Sequence, residues 1–585
     1  MRFDVSMKTL LIVIGLLPVS QLAAEDGPQG NATRPAEVVR LERAVQQELD
    51  QGYVNGVSIA LIDDSRIVYA HGFGYSNRDH KTPATAKSIY RAGSISKLVT
   101  AVAAMKLREQ TPIDLDAPIQ TYLPDFRIVN PYPDAPAITL RRLLCHRSGM
   151  IRESPVGGYF DDQEPTLDAV VASLSDCVLP SAPEAKTRYS NVGPTIAGKT
   201  IETLSRQTFE DFVQKQVFDV AGMSSSSWKL QERQRDQMSA GYLSVALPNG
   251  GFQQILAPRF ELGTVPAGNL YTTVEDLGRF IMFLVNEGRV GDRILVQPET
   301  LAEMYKPQGS NAARTFGLGF SLGKHQEHET VQHMGAVYGF TSSLIAIPSQ
   351  KVGAVVLANE DLAIGSVQRM MAAAIEAALA CRQLPAEAVA VPSENLTLAT
   401  SAPPALSPRT DLRQFVGKYE STNCWAEFTE KNGQLQAVIS GQPVPLESRG
   451  DLVFVANSRF FFNSSIAFER NDVGEVIGCT AMRQKFSKLP DSQPQSEPAN
   501  WTKFVGTYGP AFIPLIISIR NGHLYAMTEN EMDYRLAPIN RTVFRFPAGM
   551  YDDEHLIFQQ GEDGRVHSVI MANFVLKRSV PSQAE

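Results

Sequence analysis

The sequence predicts an α/β domain followed by two small antiparallel β-barrels, and three observations carry that expectation. The first is a hairpin near the N-terminus. GVSIALIDDSRIVYAHGFG (56–74) places two β-rich runs around the turn-forming Asp63-Asp64-Ser65. The second is a pair of strands far downstream, TSSLIAIPSQKVGAVVLAN (341–359), around Pro348-Ser349-Gln350, followed by the amphipathic helical pattern SVQRMMAAAIEAALACRQ (366–383). Strands at both ends of a helical middle predict one domain over residues 36–383 whose sheet joins the two ends of that segment. The third is a tail that repeats itself.

In that tail FVGKY (415–419) returns as FVGTY (504–508), and KNGQLQA (431–437) as RNGHLYA (520–526). Gly417 and Gly506 stand 89 residues apart, as do Gly433 and Gly522; Phe468 and Phe558 are 90 apart, as are Gly474 and Gly564. A constant offset with one inserted residue marks a duplication. Alternating apolar runs split by Asn-Gly or Asp-Gly suit short antiparallel strands, so each unit reads as a barrel, over 411–490 and 500–580. A Pro-, Ala-, Ser- and Thr-rich stretch (384–410) and DSQPQSEPA (491–499) read as linkers.

Length and composition fit this plan. A chain of 585 residues exceeds one compact domain, and 43% hydrophobic with 20% charged residues is ordinary for a globular protein. A formal net charge of −8, with no dense Lys/Arg run, argues against a nucleic-acid partner. At the N-terminus Arg2 and Lys8 precede the apolar TLLIVIGLLPV (9–19) and the small-residue stretch SQLAAED (20–26). This reads as a secretory signal peptide over 1–24, predicting a secreted or periplasmic protein with no stable membrane span after cleavage. The rival reading is an uncleaved anchor, but the run is shorter than the roughly 20 residues a spanning helix needs. Five cysteines (Cys145, Cys177, Cys381, Cys424 and Cys479) show no C-x-x-C spacing, which argues against thiolate metal clusters. Cys424 and Cys479 fall in one repeat unit and could pair in an exported protein.

The chemistry concentrates in RAGSISKLVTAVAAMKL (91–107), a turn leading into an apolar helix. Residues three apart share a helix face, so the hydroxyl of Ser94 and the amine of Lys97 can meet. Serine attacks only when a base takes its proton. A lysine serves as that base once burial lowers its pKa, and the apolar LVTAVAAM supplies burial. Ser96 points elsewhere and reads as structural. RYSNVGPTIAGKTIETLS (188–205) places Tyr189 and Asn191 just before a helix entered near Pro194, where a phenol could relay a proton and an amide could bind substrate. VQHMGAVYGFTSSLIAI (331–347) puts His333-Met334-Gly335 on a strand; Gly335 permits close approach, and the N–H of Ala336 could complete an oxyanion hole with that of Ser94.

Ser-x-x-Lys (94–97), Tyr-x-Asn (189–191) and His-x-Gly (333–335), in that order, resemble the serine β-lactamase and penicillin-binding-protein superfamily. LRRLLCHRSGM (140–150) and VPAGNLYTTVEDLGRF (265–280) are similar to connecting segments of its class C branch, which includes D-Ala-D-Ala carboxypeptidases, D-aminopeptidases and esterases. The resemblance covers about residues 37–383. It implies a β-lactamase-like transpeptidase fold, Ser94 as acylated nucleophile, Lys97 as its base, Tyr189 as second acid/base, and Asn191, His333, Gly335 and Ala336 as substrate-binding residues. It implies no cofactor and no metal. The implied substrate is a small molecule or short peptide, with D-residue peptides and peptidoglycan fragments as the class. The twin tail units resemble the barrels appended to D-aminopeptidases, where a barrel loop reaches the active site. One departure is His333-Met334-Gly335 where class C β-lactamases carry Lys-Thr-Gly. Histidine is mostly neutral at pH 7 and suits a substrate carboxylate less well, which argues against efficient β-lactam hydrolysis. An esterase or weak β-lactamase on the same scaffold, and a non-catalytic peptidoglycan- or β-lactam-binding protein, remain the alternatives.

Two decoys are set aside. Gly319-Phe320-Ser321-Leu322-Gly323 matches the G-x-S-x-G elbow, but no helical pattern follows Ser321. His325, His328 and His333 lack the HExxH helix of a zinc site, and 325–333 reads as a polar loop. A second Tyr-Ser-Asn, 75–77, reads as the end of the first hairpin.

Overall fold

The computed structural model describes residues 35–247, 251–309, 316–382, 411–439, 442–490 and 500–579. The expected leader (1–24) and both expected linkers (384–410 and 491–499) lie outside the described residues. The first unit is built on a seven-stranded antiparallel sheet in the order Ser321–His325, His328–Val337, Phe340–Ile347, Val352–Ala358, Gly56–Asp63, Arg66–Asn77, Thr82–Pro83. The first and last parts of the domain meet in its centre, where Val57 pairs with Ala358 and Asp63 with Val352.

The central strands are apolar on both faces because both faces are covered. Val57, Ile59 and Leu61 pack with Val352, Ala354 and Val356 against the helices Ala36–Asp50 and Ile364–Ala380, through Val38, Leu41, Val45, Val367, Met370 and Ala374. Their neighbours Ala60, Ile62, Val355 and Leu357 face the other way, into a larger core with the helices Ser96–Gln110, Val192–Ser205 and Val274–Val285. Each fully buried aliphatic side chain contributes about 1.5–3 kcal/mol. The helix Ser96–Gln110 lies inside this layer and is buried on nearly every side from Ser96 to Met105, so any polar group near its start is withdrawn from water.

The tail contains one closed eight-stranded barrel, from Gly417–Glu420 to Gln484–Lys488, with Tyr419 paired to Lys488 across the seam. The second copy forms a four-stranded and a five-stranded sheet, and its outer strands touch through the single bridge Tyr508–Arg578. The repeat is visible in detail. Tyr419 donates to Phe415 O at 2.9 Å and Tyr508 to Phe504 O at 2.7 Å, while Phe468 and Phe558 pack on Phe415 and Phe504 at 4.5 and 4.1 Å. The two copies differ in their surroundings. The first has a core of its own, whereas the second shares a core with the first domain, with Phe574 on Phe160 and Phe512 on Phe260 and Tyr338.

No disulfide joins Cys424 to Cys479. Cys479 lies opposite Phe486 inside the barrel, while the Cys424 backbone bridges outward to Tyr534 of the second module. The stretch 325–333 is strand rather than loop. Ser321–His325 and His328–Val337 form a hairpin closed over Gln326, whose φ of +53° makes the tight turn.

All three units meet at Arg459. This barrel residue donates to Asp361 O at 2.8 Å, lies 3.4 Å from Glu360 Oε1, and reaches Glu531 Oε2 of the second module at 3.3 Å. Burial holds Glu360 up at about 8 and Asp361 at about 7, with Arg459 pulling both down. Carboxyls raised in the folded state favour folding fully below their unfolded values near pH 4, and that contribution is lost as pH rises through 7 and 8. The denaturation midpoint is therefore expected to fall between about pH 4 and pH 8. Arg459→Ala removes the cation that pulls both carboxyls down; the loss of stability should be small near pH 5, grow as pH rises through 7 and 8, and so steepen that pH dependence, as measured by urea titration at several pH values.

Candidate active site

The site starts from a backbone contact. Ser94 sits in the short turn Gly93–Ile95 at the head of the helix Ser96–Gln110, and the strand His328–Val337 presses directly on that turn. A Cβ on Gly335 would stand 2.1 Å from Ala92 O and 3.0 Å from Ser94 N, and one on Gly93, at φ +53°, only 2.8 Å from Ala336 N. Neither position accepts a side chain without separating strand from turn. Ser342 on the neighbouring strand fixes the turn by donating to Ala92 O at 2.8 Å. The result is a wall on which the backbone amides of Ser94 and Ala336 come together, and both residues line one cleft of about 800 Å³.

Lys97 lies one turn along the helix, 2% exposed. Its Nζ is 2.9 Å from Ser94 Oγ and donates to Ala267 O at 2.7 Å. Burial, followed by the Arg152 guanidinium, holds its pKa well below the usual lysine value, while Glu153 pulls the other way. Its ammonium is thus disfavoured where the amine faces the serine hydroxyl, the condition for a general base. Ser96 has a structural part: its hydroxyl donates to Gly93 O at 2.6 Å and accepts from Leu270 N at 3.0 Å, joining the turn to the segment behind Lys97.

Tyr189 and Asn191 enter from the chain before the helix Val192–Ser205. The Tyr189 ring packs on His146, tilted by 31° with centroids 4.4 Å apart, and has Lys97 Nζ 5.0 Å from its centroid. The His333 ring centroid lies 6.1 Å from it. Asn191 is tied to the 152–153 segment twice: its N–H donates to Arg152 O at 2.8 Å and its side-chain amide donates to Glu153 Oε1. Thus Ser94, Tyr189, His333 and Ala336 line one cleft, Lys97 reaches it only through Ser94 Oγ, Gly335 supplies the close contact behind the wall, and Asn191 is held by Glu153. Ser321 opens the strand Ser321–His325 rather than a helix, although it too reaches the cleft rim. Ser76 of the other Tyr-Ser-Asn ends the strand Arg66–Asn77, bonded to Thr82 O and Pro83 O. Among the described residues no group of His, Cys, Asp and Glu is placed to hold a metal.

Several site residues went unread in the sequence. His146, Arg152 and Glu153 come from the segment after the helix Leu140–Leu144. Asn530, Tyr534, Met550 and Asp552 of the second module form part of the cleft wall. A cue existed for the first group, since His-Arg-Ser-Gly followed by Arg-Glu places charge directly after an apolar helix. The second group lies in a part of the repeat where the two copies share no motif.

A family model described as beta-lactamase matches residues 41–379, more than half of the chain and the region that carries Ser94, Lys97, Tyr189, Asn191, His333, Gly335 and Ala336. The chain belongs to the beta-lactamase family. Within that family it is similar to protein flp of Staphylococcus aureus (strain N315), 22% identical over 326 residues covering 55% of this chain and 62% of that protein. It is also similar to beta-lactamase-like protein 2 of Dictyostelium discoideum, 25% identical over 337 residues covering 56% of this chain and 60% of that one. The match thus spans less than two thirds of these relatives. A solved structure, the octameric penicillin-binding protein homologue from Pyrococcus abyssi, shares the fold with a TM-score of 0.52 at 23% identity, over 77% of this chain and all of that one.

The contact between Gly335 and the Ser94 turn can be tested alone. Gly335→Ala should keep the fold by circular dichroism, push the strand off the turn, and slow covalent labelling of Ser94 by a fluorophosphonate about a hundredfold, the scale of losing an oxyanion donor.

Proposed function

We propose that the chain is an exported serine hydrolase that cleaves amide bonds of short peptides through an acyl-enzyme, in the manner of a D-aminopeptidase or DD-carboxypeptidase. The observation that carries the reading is a buried lysine amine 2.9 Å from Ser94 Oγ, with its pKa held down. In this reaction Lys97 Nζ takes the Ser94 proton as Oγ bonds to the substrate carbonyl carbon. The carbonyl oxygen, now an anion, is held by the N–H groups of Ser94 and Ala336. The proton passes to the leaving amine through Lys97 and Tyr189, the C–N bond breaks, and water then releases the acyl group by the reverse relay.

Support for a peptide comes from the sheet. The strand His328–Val337 pairs with Ser321–His325 only as far as Gln332. Among the described residues no strand pairs with the cleft side of 333–337, so an extended backbone can add there. Support for a short one comes from the second module, whose Asn530, Tyr534, Met550 and Asp552 wall the cleft. His333 in place of a lysine leaves that strand without a fixed cation, which favours peptides over β-lactams. The N-terminal leader supports export, and cell-wall fragments are the corresponding substrate class. Among the described residues no helix is long and apolar enough to cross a membrane.

The test is covalent labelling followed by turnover. A fluorophosphonate or labelled penicillin should modify Ser94 in the wild type and leave Ser94→Ala untouched. Among acyl donors, a D-Ala p-nitroanilide should turn over faster than p-nitrophenyl butyrate. The reverse order would make the protein an esterase, and wild-type turnover equal to Ser94→Ala on all donors would make it a binding protein.

A further inference from the structure

A buried charge cluster joins the second tail module to the floor of the site. Arg152 Nε lies 3.6 Å from Glu153 Oε1 and 3.7 Å from Glu529 Oε1 of the module. Tyr551 donates to Glu529 Oε1 at 2.7 Å, and the Arg152 guanidinium lies 6.0 Å from the Tyr551 ring and 5.6 Å from the Tyr189 ring. The same segment is gripped again alongside: Arg152 N–H donates to Glu554 Oε1 at 3.3 Å, and Arg188 pairs with Glu554. Glu153, Glu529 and Glu554 are each nearly inaccessible to water.

Such a cluster needs a reason. Buried ion groups contribute little stability relative to apolar packing of the same volume, because each charge gives up its hydration. The module already has apolar anchors in Phe574 against Phe160 and Phe512 against Phe260. The charges stand where the reactive groups are held, since Arg152 O and Glu153 Oε1 are the two acceptors that fix Asn191.

We infer that Glu529 and Tyr551 are positioning residues of the Ser94 reaction: they hold Arg152 against Glu153, and this pair orients Asn191 and sets the charge felt by Lys97. The inference rests on the acyl-enzyme reading above. Within the hydrolase domain the titratable groups facing Glu153 are Arg152, Lys97 and Tyr338. From the module they are Glu529 and Tyr551. Burial first, then the neighbouring Glu529, raises Glu153 to about 7 against the pull of Arg152 and Lys97. Glu153 therefore changes charge near neutrality. As an anion it stabilises the Lys97 ammonium, and as an acid it leaves the amine neutral and able to accept the Ser94 proton.

The signs of two substitutions follow and are opposite. Glu529→Gln removes the neighbouring carboxyl that adds to burial in raising Glu153, so Glu153 ionises more readily and the Lys97 pKa rises. Glu153→Gln removes the anion itself, so the Lys97 pKa falls. The experiment measures the rate of fluorophosphonate labelling of Ser94 against pH in the full chain. For Glu529→Gln the acid limb is expected to move up by about half a pH unit or more, and for Glu153→Gln it is expected to move down. Tyr551→Phe keeps the ring and deletes one bond to Glu529; its limb should move in the Glu529→Gln direction by less. A purely structural role would lower the rate or the melting temperature and leave the limb in place. Intact labelling with the acid limb unmoved in Glu529→Gln, or in Tyr551→Phe should Glu529→Gln not fold, overturns the inference and leaves the acyl-enzyme reading standing. Absence of labelling in the wild type at every pH overturns both.

Discussion

Everything at the site depends on keeping one amine dry. An ammonium taken from water into a protein interior gives up several kcal/mol of hydration unless it is paired or loses its proton. Lys97 is placed to lose it: the helix that carries it is enclosed by its neighbours, its Nζ is directed at Ser94 Oγ and Ala267 O, and the nearest cation, Arg152, opposes its charge. The three-layer architecture provides that enclosure. The helices Val192–Ser205 and Val265–Gly268 pack on the helix, Gly319 stands against Lys97 O and Ala101, and the strand His328–Val337 seals the end where the hydroxyl emerges.

The tail modules take different parts in this arrangement. The closed barrel carries its own core and meets the hydrolase domain through Arg459 and the Ser458–Phe461 turn, against which Gly365 packs with no room for a side chain. The second copy has merged its core with that of the hydrolase domain and contributes cleft wall. Duplication thus produced two units of similar local geometry with separate uses. The Tyr419–Phe415 and Tyr508–Phe504 bonds preserve the common ancestor's corner, and the segment 528–554 carries the specialisation.

Much of this was legible from residue patterns, for physical reasons that also mark the boundary of what was not. Alternation and turn residues placed the hairpin at 56–74 and the strands at 341–359, and the bracketing of helices by strands placed both in one sheet, as Val57 and Ala358 demonstrate. Ser94 and Lys97 were legible because helical spacing is local. The union of Tyr189, His333 and Ala336 with them came from family resemblance, since no local rule brings such distant segments together. The 325–333 hairpin read as a loop because its exposed strand carries polar residues on both faces. Glu153 and Glu529 were invisible: a carboxylate in a polar stretch looks solvated until tertiary packing buries it, and Arg152, the cation they share, draws Glu529 from another module.

The central pairing of residues 57–63 with 352–358 also governs when this domain can exist. On the ribosome the first hairpin emerges early, yet its partner strand follows only after about 300 further residues, a delay of roughly 15–60 s at ordinary elongation rates. Throughout that interval Val57, Ile59 and Leu61 have no second edge to bind, and the apolar nucleophile helix has no sheet to cover it. Sheets closed by such distant segments nucleate slowly. Nascent chains of this protein therefore have a long period in which the apolar edge of the early hairpin stands open.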